Sequence, residues 1–288
     1  MEQTTPDFYL IADSLGVSLL DGITNWREQF RTSGEHDKSF GVSFQGWANG
    51  SMINAPFLTD VIDQNSSLKK IHAWVRAPKS TGTTQGILAT INSSNVLDIN
   101  HEFLQFLQSW NDPTPLVSMI ASGKGYLFPV FNHPKPEYDF FDPEVPGIEK
   151  NMPIIDDIFI DRLVADWVNP VYFATIAMVK SGKNHIHVLP PPPLENPERT
   201  KHLEGLDQFV NAYGFLRGRT RVKWYRRYCR ELTRRLEKLN CRVLPAPPGT
   251  CNSDGLLLQE YAEGLTHANS KYGRLVAEQI ASSLRAFS

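Results

Sequence analysis

The stretch DFYLIADSLGVSLLDGI, residues 7–23, joins a short apolar run to a turn and then to a helix-like pattern. The run FYLIA (8–12) is bounded by polar residues, as is typical of a strand buried in a parallel sheet. Ser14 follows this run, between Asp13 and the Leu15-Gly16 turn. Ser14 is therefore either the cap of the next helix or a nucleophile held at the end of a strand.

The same alternation of strand and helix continues along the chain. Further strands are predicted at 39–46, 115–122, 185–193 and 241–248, with weaker patterns at 68–77 and 85–91. Helices are predicted at 15–31, 101–110, 155–182 (broken near Pro170), 203–240 and 266–287. This order predicts an α/β fold: a single flavodoxin-like, three-layer domain over residues 1–288 with a mostly parallel sheet. Ligands bind such sheets at the carboxyl ends of the strands.

Composition excludes several classes of protein. The 288 residues are 41% hydrophobic with a net charge of −2, so the chain as a whole does not resemble a nucleic-acid binder. The sequence contains no uninterrupted apolar run of about 18 residues, so no membrane span is predicted. The N-terminal sequence lacks the basic and apolar regions of a signal peptide, and we expect a cytoplasmic protein. The three cysteines, an odd number without metal-site spacing, predict neither a disulfide framework nor a zinc site.

Two segments depart from the average composition. Residues 126–155 contain a proline-rich and acidic stretch that predicts an irregular insertion or a lid. Residues 217–242, within the predicted helical segment 203–240, carry eleven lysines and arginines against two glutamates, which leaves about −11 on the rest of the chain. The favoured interpretation is an amphipathic helix with its basic residues in solvent. Its inward side chains would be Val222, Trp224 or Tyr225, Tyr228, Leu232, Leu236 and Leu239. The alternative is a surface for an anionic partner: an acidic protein, an acidic glycan or a lipid headgroup.

A serine nucleophile needs a base, and His267 is the best candidate among the eight histidines. It lies in a turn-like segment just before the last helix, with the carboxylates Asp254 and Glu263 upstream. The alternative is a residue of the first helical turn, with Thr266 as the cap.

The other candidates favour structural roles. His133 lies in a proline-rich loop. It either lines the substrate pocket or forms hydrogen bonds within the loop. His185 and His187 lie on one face of a strand without a third metal ligand, so no metal site is predicted. The segment Gly123-Lys124-Gly125 lacks the spacing of a phosphate loop.

Four segments, taken in order, resemble the SGNH hydrolase (GDSL-type lipase/esterase) superfamily. These are IADSLG (11–16), PLVSMIASGKGYLFPVFNHPKPEYDF (115–140), HIHVLPPPP (185–193) and THANSKYG (266–273). The resemblance implies that Ser14 is the nucleophile and His267 the base. It also implies that the amides of Ser14 and Gly46, or of Gly50 instead, bind the oxyanion, and that Asp13, Lys124 and His133 contact substrate.

The chain departs from the family pattern at two positions. Gly123 stands where the third block has an oxyanion-hole asparagine, so an amide of Gly123 or Gly125, or Lys124, would have to substitute. Gly264 stands three residues before His267, where the family has its acid. Glu263, Asp254 or a main-chain carbonyl could orient the imidazole instead.

The resemblance implies acyl transfer from a small ester by a Ser–His mechanism, without a metal or an organic cofactor. The acceptor would be water, as in an esterase or deacylase, or a sugar hydroxyl, and the ester could be an O-acyl group of a glycan. The alternative is a catalytically impaired protein of the same fold that binds a glycan, an acyl ligand or an acidic protein.

Overall fold

The computed structural model describes residues 8–13, 15, 16, 18, 19, 22, 57–61, 71–75, 89–94, 96–99, 101–109, 112–121, 137–199 and 207–286. Six of its strands form one sheet. They are β1 (Phe8–Ala12), β2 (Phe57–Val61), β3 (Ile71–Val75), β6 (Leu116–Met119), β7 (His185–Val188) and β8 (Arg242–Leu244). Their order is β2-β3-β1-β6-β7-β8. Two short strands, β4 (Ala89–Ile91) and β5 (Leu97–Ile99), form a separate antiparallel pair.

Five of the six sheet strands run parallel, and only the edge strand β2 is antiparallel to its neighbour. Numbered along the chain, the parallel strands lie in the order 2-1-3-4-5, which is the flavodoxin-like order. This confirms the predicted fold class. It also places β1 at the centre, where the strand order reverses and where the ends of β1 and β6 face a shared crevice.

Helices cover both faces of the sheet. The helices are α1 (His101–Ser109), α2 (Asp157–Val179), α3 (Asp207–Tyr213), α4 (Gly218–Glu237) and α5 (Ser270–Leu284). Side chains alternate across β1: Tyr9 and Ile11 join an apolar cluster with α1, α2 and α4, whereas Leu10 and Ala12 join a second cluster with α5. The molecule is therefore built of three layers, with β1 buried on both sides.

Helix α2 corrects the prediction of a break near Pro170. The helix continues through Pro170, from Asp157 to Val179. A proline inside a helix removes one backbone hydrogen bond and costs about 3 kcal/mol. Buried side chains on both sides of Pro170, among them Val168 and Val171, anchor the two halves in one core. Burying several such side chains, at about 1.5–3 kcal/mol each, outweighs that cost.

The predicted helical segment 203–240 contains two helices. Helix α3 ends at Tyr213 and is followed by Gly214, whose φ of +70° favours glycine, and α4 begins at Gly218. The predicted inward residues Val222, Trp224, Tyr228, Leu232 and Leu236 are buried. The prediction that the basic residues face solvent is wrong for Arg221 and Lys223, which are also buried.

The basic residues of α4 pair with the acidic segment of the same chain. Lys223 Nζ lies 2.7 Å from Asp139 Oδ2, and both side chains are fully buried. Arg230 lies 2.9 Å from Asp142 and 2.6 Å from Glu144. The other pairs join Arg217 to Glu137 and Glu149, Arg226 to Glu144, and Arg227 to Asp142, Asp157 and Asp161. Carboxylates of the chain itself thus neutralise much of the charge that suggested an anionic partner.

The described part of the predicted insertion, residues 137–155, is largely irregular. It is tied to the body of the protein at several points. Tyr138 and Phe140 are buried in the core cluster, and Asp139 forms a bridge with Ile154. These contacts fix residues 138–154 on the surface of α4; residues 126–136 of the predicted lid lie outside the described part of the chain.

Two glycines allow the first helical segment to approach α5 closely. A Cβ atom on Gly273 would overlap the backbone carbonyl of Ser18, and one on Gly22 would overlap the backbone at Gly273 and Arg274. The segment that follows β1 is therefore packed directly against the start of α5. No helix within the described residues is long and apolar enough to cross a membrane.

Candidate active site

Asp13 joins the carboxyl ends of β1 and β6. Its Oδ1 accepts a hydrogen bond from the amide of Leu15 at 2.9 Å, and its Oδ2 accepts one from the amide of Ala121 at 2.7 Å. Its own amide donates to the carbonyl of Met119 at 3.1 Å. Both carboxylate oxygens thus bind backbone amides, so Asp13 shapes the crevice between the strands.

Asp13 lies within the electrostatic field of His267. Burial raises the pKa of Asp13 from 3.8 to about 6, while the amides of Ala121 and Leu15 and then the charge of His267 act in the opposite direction. The segment that follows β1 also packs directly against the start of α5, so the structure brings together the two parts of the chain that carry the predicted catalytic motifs. Asp13 immediately precedes Ser14 in the sequence.

His267 lies in a short hairpin that precedes α5. Ala262 and Ala268 form an antiparallel bridge, and the carbonyl of His267 accepts hydrogen bonds from the amides of Glu263 at 2.9 Å and Gly264 at 3.2 Å. Asn269 closes the hairpin and caps α5, because its Oδ1 accepts from the amides of Lys271 and Tyr272. The cap at the start of α5 is thus Asn269, and Thr266 does not cap it.

The imidazole of His267 contacts the hydroxyl of Thr266. The distance between Nδ1 and Oγ1 is 3.0 Å. Thr266 is buried, whereas His267 is half-buried. The sequence suggested Thr266 only as a helix cap, and this contact was not predicted. The position of Thr266 directly before a candidate base could have indicated it.

The two carboxylates predicted to orient His267 lie in different settings. Glu263 belongs to the same hairpin, and its backbone amide binds the His267 carbonyl. Asp254 lies exposed in a turn closed by Asn252, whose Oδ1 accepts from the amides of Asp254 and Leu256. Both orienting roles stay predictions. Glu263 lies closer to His267 along the chain than Asp254 does, and it belongs to the same hairpin.

Several predicted site residues lie outside the described residues: Ser14, Gly46, Gly50, Gly123, Lys124, Gly125 and His133. The predicted nucleophile, oxyanion hole and part of the substrate pocket therefore stay predictions. The described residues fix the setting into which they must fit: the carboxyl ends of β1 and β6, and the hairpin of His267.

His185 and His187 lie on one strand face, as expected, and share a hydrogen-bond partner. Ser118 Oγ lies 2.8 Å from His185 Nε2 and 2.8 Å from His187 Nδ1. All three side chains are buried, and burial lowers the pKa of each histidine to about 3. This buried cluster links β6 and β7. Within the described residues, no group of three or more His, Cys, Asp or Glu side chains is arranged to hold a metal ion.

No protein-family model and no curated protein sequence matches the chain. Solved structures that it resembles include a GDSL-like lipase from Bacteroides thetaiotaomicron, with 7% identity over 98% of this chain and 88% of that chain, at a TM-score of 0.44. A carbohydrate acetylesterase from Sinorhizobium meliloti has 10% identity over 76% of this chain and 80% of that chain, at a TM-score of 0.40. An aryl esterase from M. smegmatis has 7% identity over 97% and 99% of the two chains, at a TM-score of 0.42.

All three TM-scores lie below 0.5, so the candidate site is defined by this chain's own strand order and contacts. The sheet order places Asp13, and with it the IADSLG block, at the central crevice. The THANSKYG block lies at the start of α5, against the segment that follows β1. In the order of its sequence blocks the chain is similar to the SGNH hydrolases.

Proposed function

We propose that the protein is a serine hydrolase of the esterase or deacylase type that acts on a small acyl ester. Ser14 is the nucleophile and His267 is the general base. The observation that carries the proposal is geometric: Asp13, next to Ser14 in sequence, binds backbone amides at the carboxyl ends of β1 and β6, and the segment after β1 packs against the start of α5, which His267 precedes. Substrates bind at this edge in flavodoxin-like sheets.

The proposed reaction has two halves. In the first, His267 Nε2 accepts the hydroxyl proton of Ser14 while the serine oxygen bonds to the ester carbonyl carbon. The tetrahedral intermediate then collapses, the bond to the alcohol oxygen breaks, and His267 returns the proton to the leaving alkoxide. In the second half, water attacks the acyl-serine in the same way and releases the acid. A sugar hydroxyl in place of water would give O-acyl transfer.

The oxyanion of the intermediate needs donors, and backbone amides are the proposed source. Removal of one side-chain donor from such a site costs about a hundred- to a thousand-fold in turnover. An amide at Gly46 and one at Ser14 or Gly123 would provide a hole that does not need the family's asparagine. The substrate class is a small ester, with an O-acyl group on a glycan as the specific candidate.

Covalent labelling tests the nucleophile without knowledge of the natural substrate. The wild-type protein is treated with a fluorophosphonate probe, and the labelled residue is identified by mass spectrometry. We expect a single label on Ser14, and loss of labelling in Ser14→Ala and His267→Ala. Hydrolysis of p-nitrophenyl acetate and butyrate is measured in parallel, with an expected loss of at least about a thousand-fold in both variants.

Two exposed positions provide matched controls. Ser94→Ala and His101→Ala remove the same functional groups from exposed residues to which the proposal assigns no role. Both variants are expected to retain wild-type labelling and hydrolysis. A folded wild-type protein that neither labels nor hydrolyses either ester would overturn the proposal, and would favour a protein that binds a glycan or an acyl ligand through the same crevice.

A further inference from the structure

In the hairpin that carries His267, a glycine occupies the position of the family's acid. Gly264 stands three residues before His267 and has no side chain, and its amide binds the His267 carbonyl. The nearest described partner of Nδ1 is Thr266 Oγ1, at 3.0 Å. This is an ordinary length for a hydrogen bond between a ring nitrogen and a hydroxyl.

The direction of this hydrogen bond determines whether His267 can act as a base. A hydroxyl can accept from Nδ1–H or donate to an unprotonated Nδ1. In the first case Nε2 carries the lone pair and can accept the serine proton; in the second case Nε2 carries the proton and cannot. A base at Nε2 therefore requires that Thr266 accept.

We propose that Thr266 is the positioning residue of His267, whose hydroxyl oxygen accepts the Nδ1–H bond and holds the imidazole in the tautomer with a free Nε2 lone pair. This assignment rests on the proposed function, because His267 can act as a base only when Nε2 carries no proton. Thr266 is well suited to this role because its side chain is buried at 6% exposure and its backbone is part of a closed hairpin. The hydroxyl is thus held in place before substrate arrives.

The hairpin geometry supports the same assignment. The amides of Glu263 and Gly264 both bind the His267 carbonyl, and Asn269 fixes the other end through its bonds to the carbonyls of Tyr261 and Glu260. The imidazole therefore starts from a backbone with little freedom, and the hydrogen bond at Nδ1 restricts the orientation of the ring. The carboxylate of Asp13 acts on the same imidazole through space.

Nuclear magnetic resonance tests the tautomer directly. The full-length protein is labelled with [15N]histidine, and two-bond proton–nitrogen spectra at pH 8 distinguish Nδ1–H from Nε2–H imidazoles. The His267 signals are assigned by their loss in His267→Gln. We expect the Nδ1–H tautomer in the wild-type protein and in Thr266→Ser, and a clear increase of the Nε2–H tautomer in Thr266→Val. A wild-type Nε2–H tautomer, or a spectrum that Thr266→Val leaves unchanged, would overturn the assignment.

Kinetics test the catalytic consequence. The rate of fluorophosphonate labelling and kcat for p-nitrophenyl acetate are expected to fall about five- to tenfold in Thr266→Val, the effect of one neutral hydrogen bond, with KM unchanged. Thr266→Ser should stay within about threefold of wild type. The control is Thr175→Val, which removes a buried threonine hydroxyl that donates to the Val171 carbonyl in α2. It should leave both rates unchanged.

The two measurements separate the failure of this inference from that of the proposed function. A wild-type protein that is folded but unlabelled by the probe contradicts the hydrolase, while the tautomer spectra still decide the role of Thr266. A labelled wild type with equal rates and spectra in Thr266→Val contradicts the role of Thr266 and leaves the hydrolase intact.

Discussion

Replacement of Lys223 by methionine tests whether the buried ion pair fixes the acidic segment to α4. Lys223 and Asp139 are both fully buried, with 2.7 Å between Nζ and Oδ2. Removal of one member of such a pair leaves an uncompensated buried charge and typically costs about 3–5 kcal/mol. We expect Lys223→Met to lower the free energy of unfolding by about this amount.

The magnitude follows from the contacts of the ammonium group. At 2.7 Å and an effective dielectric constant of about 20, the gross attraction is roughly 6 kcal/mol, which desolvation of both groups reduces. Lys223 Nζ also donates to the carbonyls of Phe140 and Gly147, each at 2.8 Å. Methionine fills the volume of the side-chain stem but satisfies none of these three acceptors. Asp139 keeps a hydrogen bond from the amide of Glu149, which compensates only part of the loss.

A double-mutant cycle with urea unfolding measures the coupling. The variants are Lys223→Met, Asp139→Leu and the two combined. We expect the double variant to be less destabilised than the sum of the single variants by at least about 2 kcal/mol, because it leaves no unpaired charge. The matched control is Arg234→Met, which breaks the exposed pair with Glu231 and should cost less than about 1 kcal/mol.

Two results would refute this reasoning. The first is a loss in Lys223→Met no larger than that in Arg234→Met. The second is a coupling energy near zero, which would mean that the two groups contribute independently. Limited proteolysis provides a local readout, since release of residues 137–149 from α4 should expose new cleavage sites within that segment in Lys223→Met only.

Three further predictions concern packing and pH. Gly273→Ala should lower the free energy of unfolding by about 1–3 kcal/mol in urea melts, because the new methyl group overlaps the Ser18 carbonyl. Asp13 has a pKa of about 6 in the folded protein and 3.8 as its ordinary value, so the folded state binds more protons between these pH values. The wild-type protein should therefore gain up to about 3 kcal/mol relative to Asp13→Asn as the pH falls from 7 to 4, measured by paired melts. His185 and His187 have folded pKa values near 3, below their usual 6.5, so their contribution to stability is lost as the pH falls from 6.5 towards 3; His187→Asn should flatten this acid limb in unfolding curves.

Local patterns were sufficient for the central fold. Strand β1 is a short apolar run with polar ends, and α1 and α5 have clear helical periodicity, so their positions were predicted within a few residues. The edge strand β2 was not predicted, since edge pairing depends on a neighbour that local sequence does not specify. The prediction of a break at Pro170 was wrong for a related reason. The burial of side chains on both sides of the proline outweighs the local cost of a proline in a helix.

The prediction that the basic residues of α4 face solvent was wrong for Lys223, because the charge pattern of a single helix places every lysine in solvent. Lys223 is buried because a carboxylate 84 positions earlier in the chain reaches it, and no window of local sequence contains both residues. The excess of arginines on α4 and the excess of acids in 137–161 are two halves of one network. A joint examination of complementary charge runs along the whole chain would have suggested this pairing.

The acid of a catalytic triad has two functions: it orients the histidine and it stabilises the imidazolium that forms. Here the position of the usual acid is Gly264, and the two functions are separable, with the Thr266 hydroxyl at Nδ1 and the Asp13 carboxylate acting through space. Replacement of Asp13 by asparagine should then lower kcat without a change in the His267 tautomer, the opposite of Thr266→Val. The Asp13 effect should also need the ionised carboxylate, so the wild-type rate should rise with pH through about 6. An Asp13→Asn protein with a wild-type rate at pH 8 would show that the threonine hydroxyl alone is sufficient.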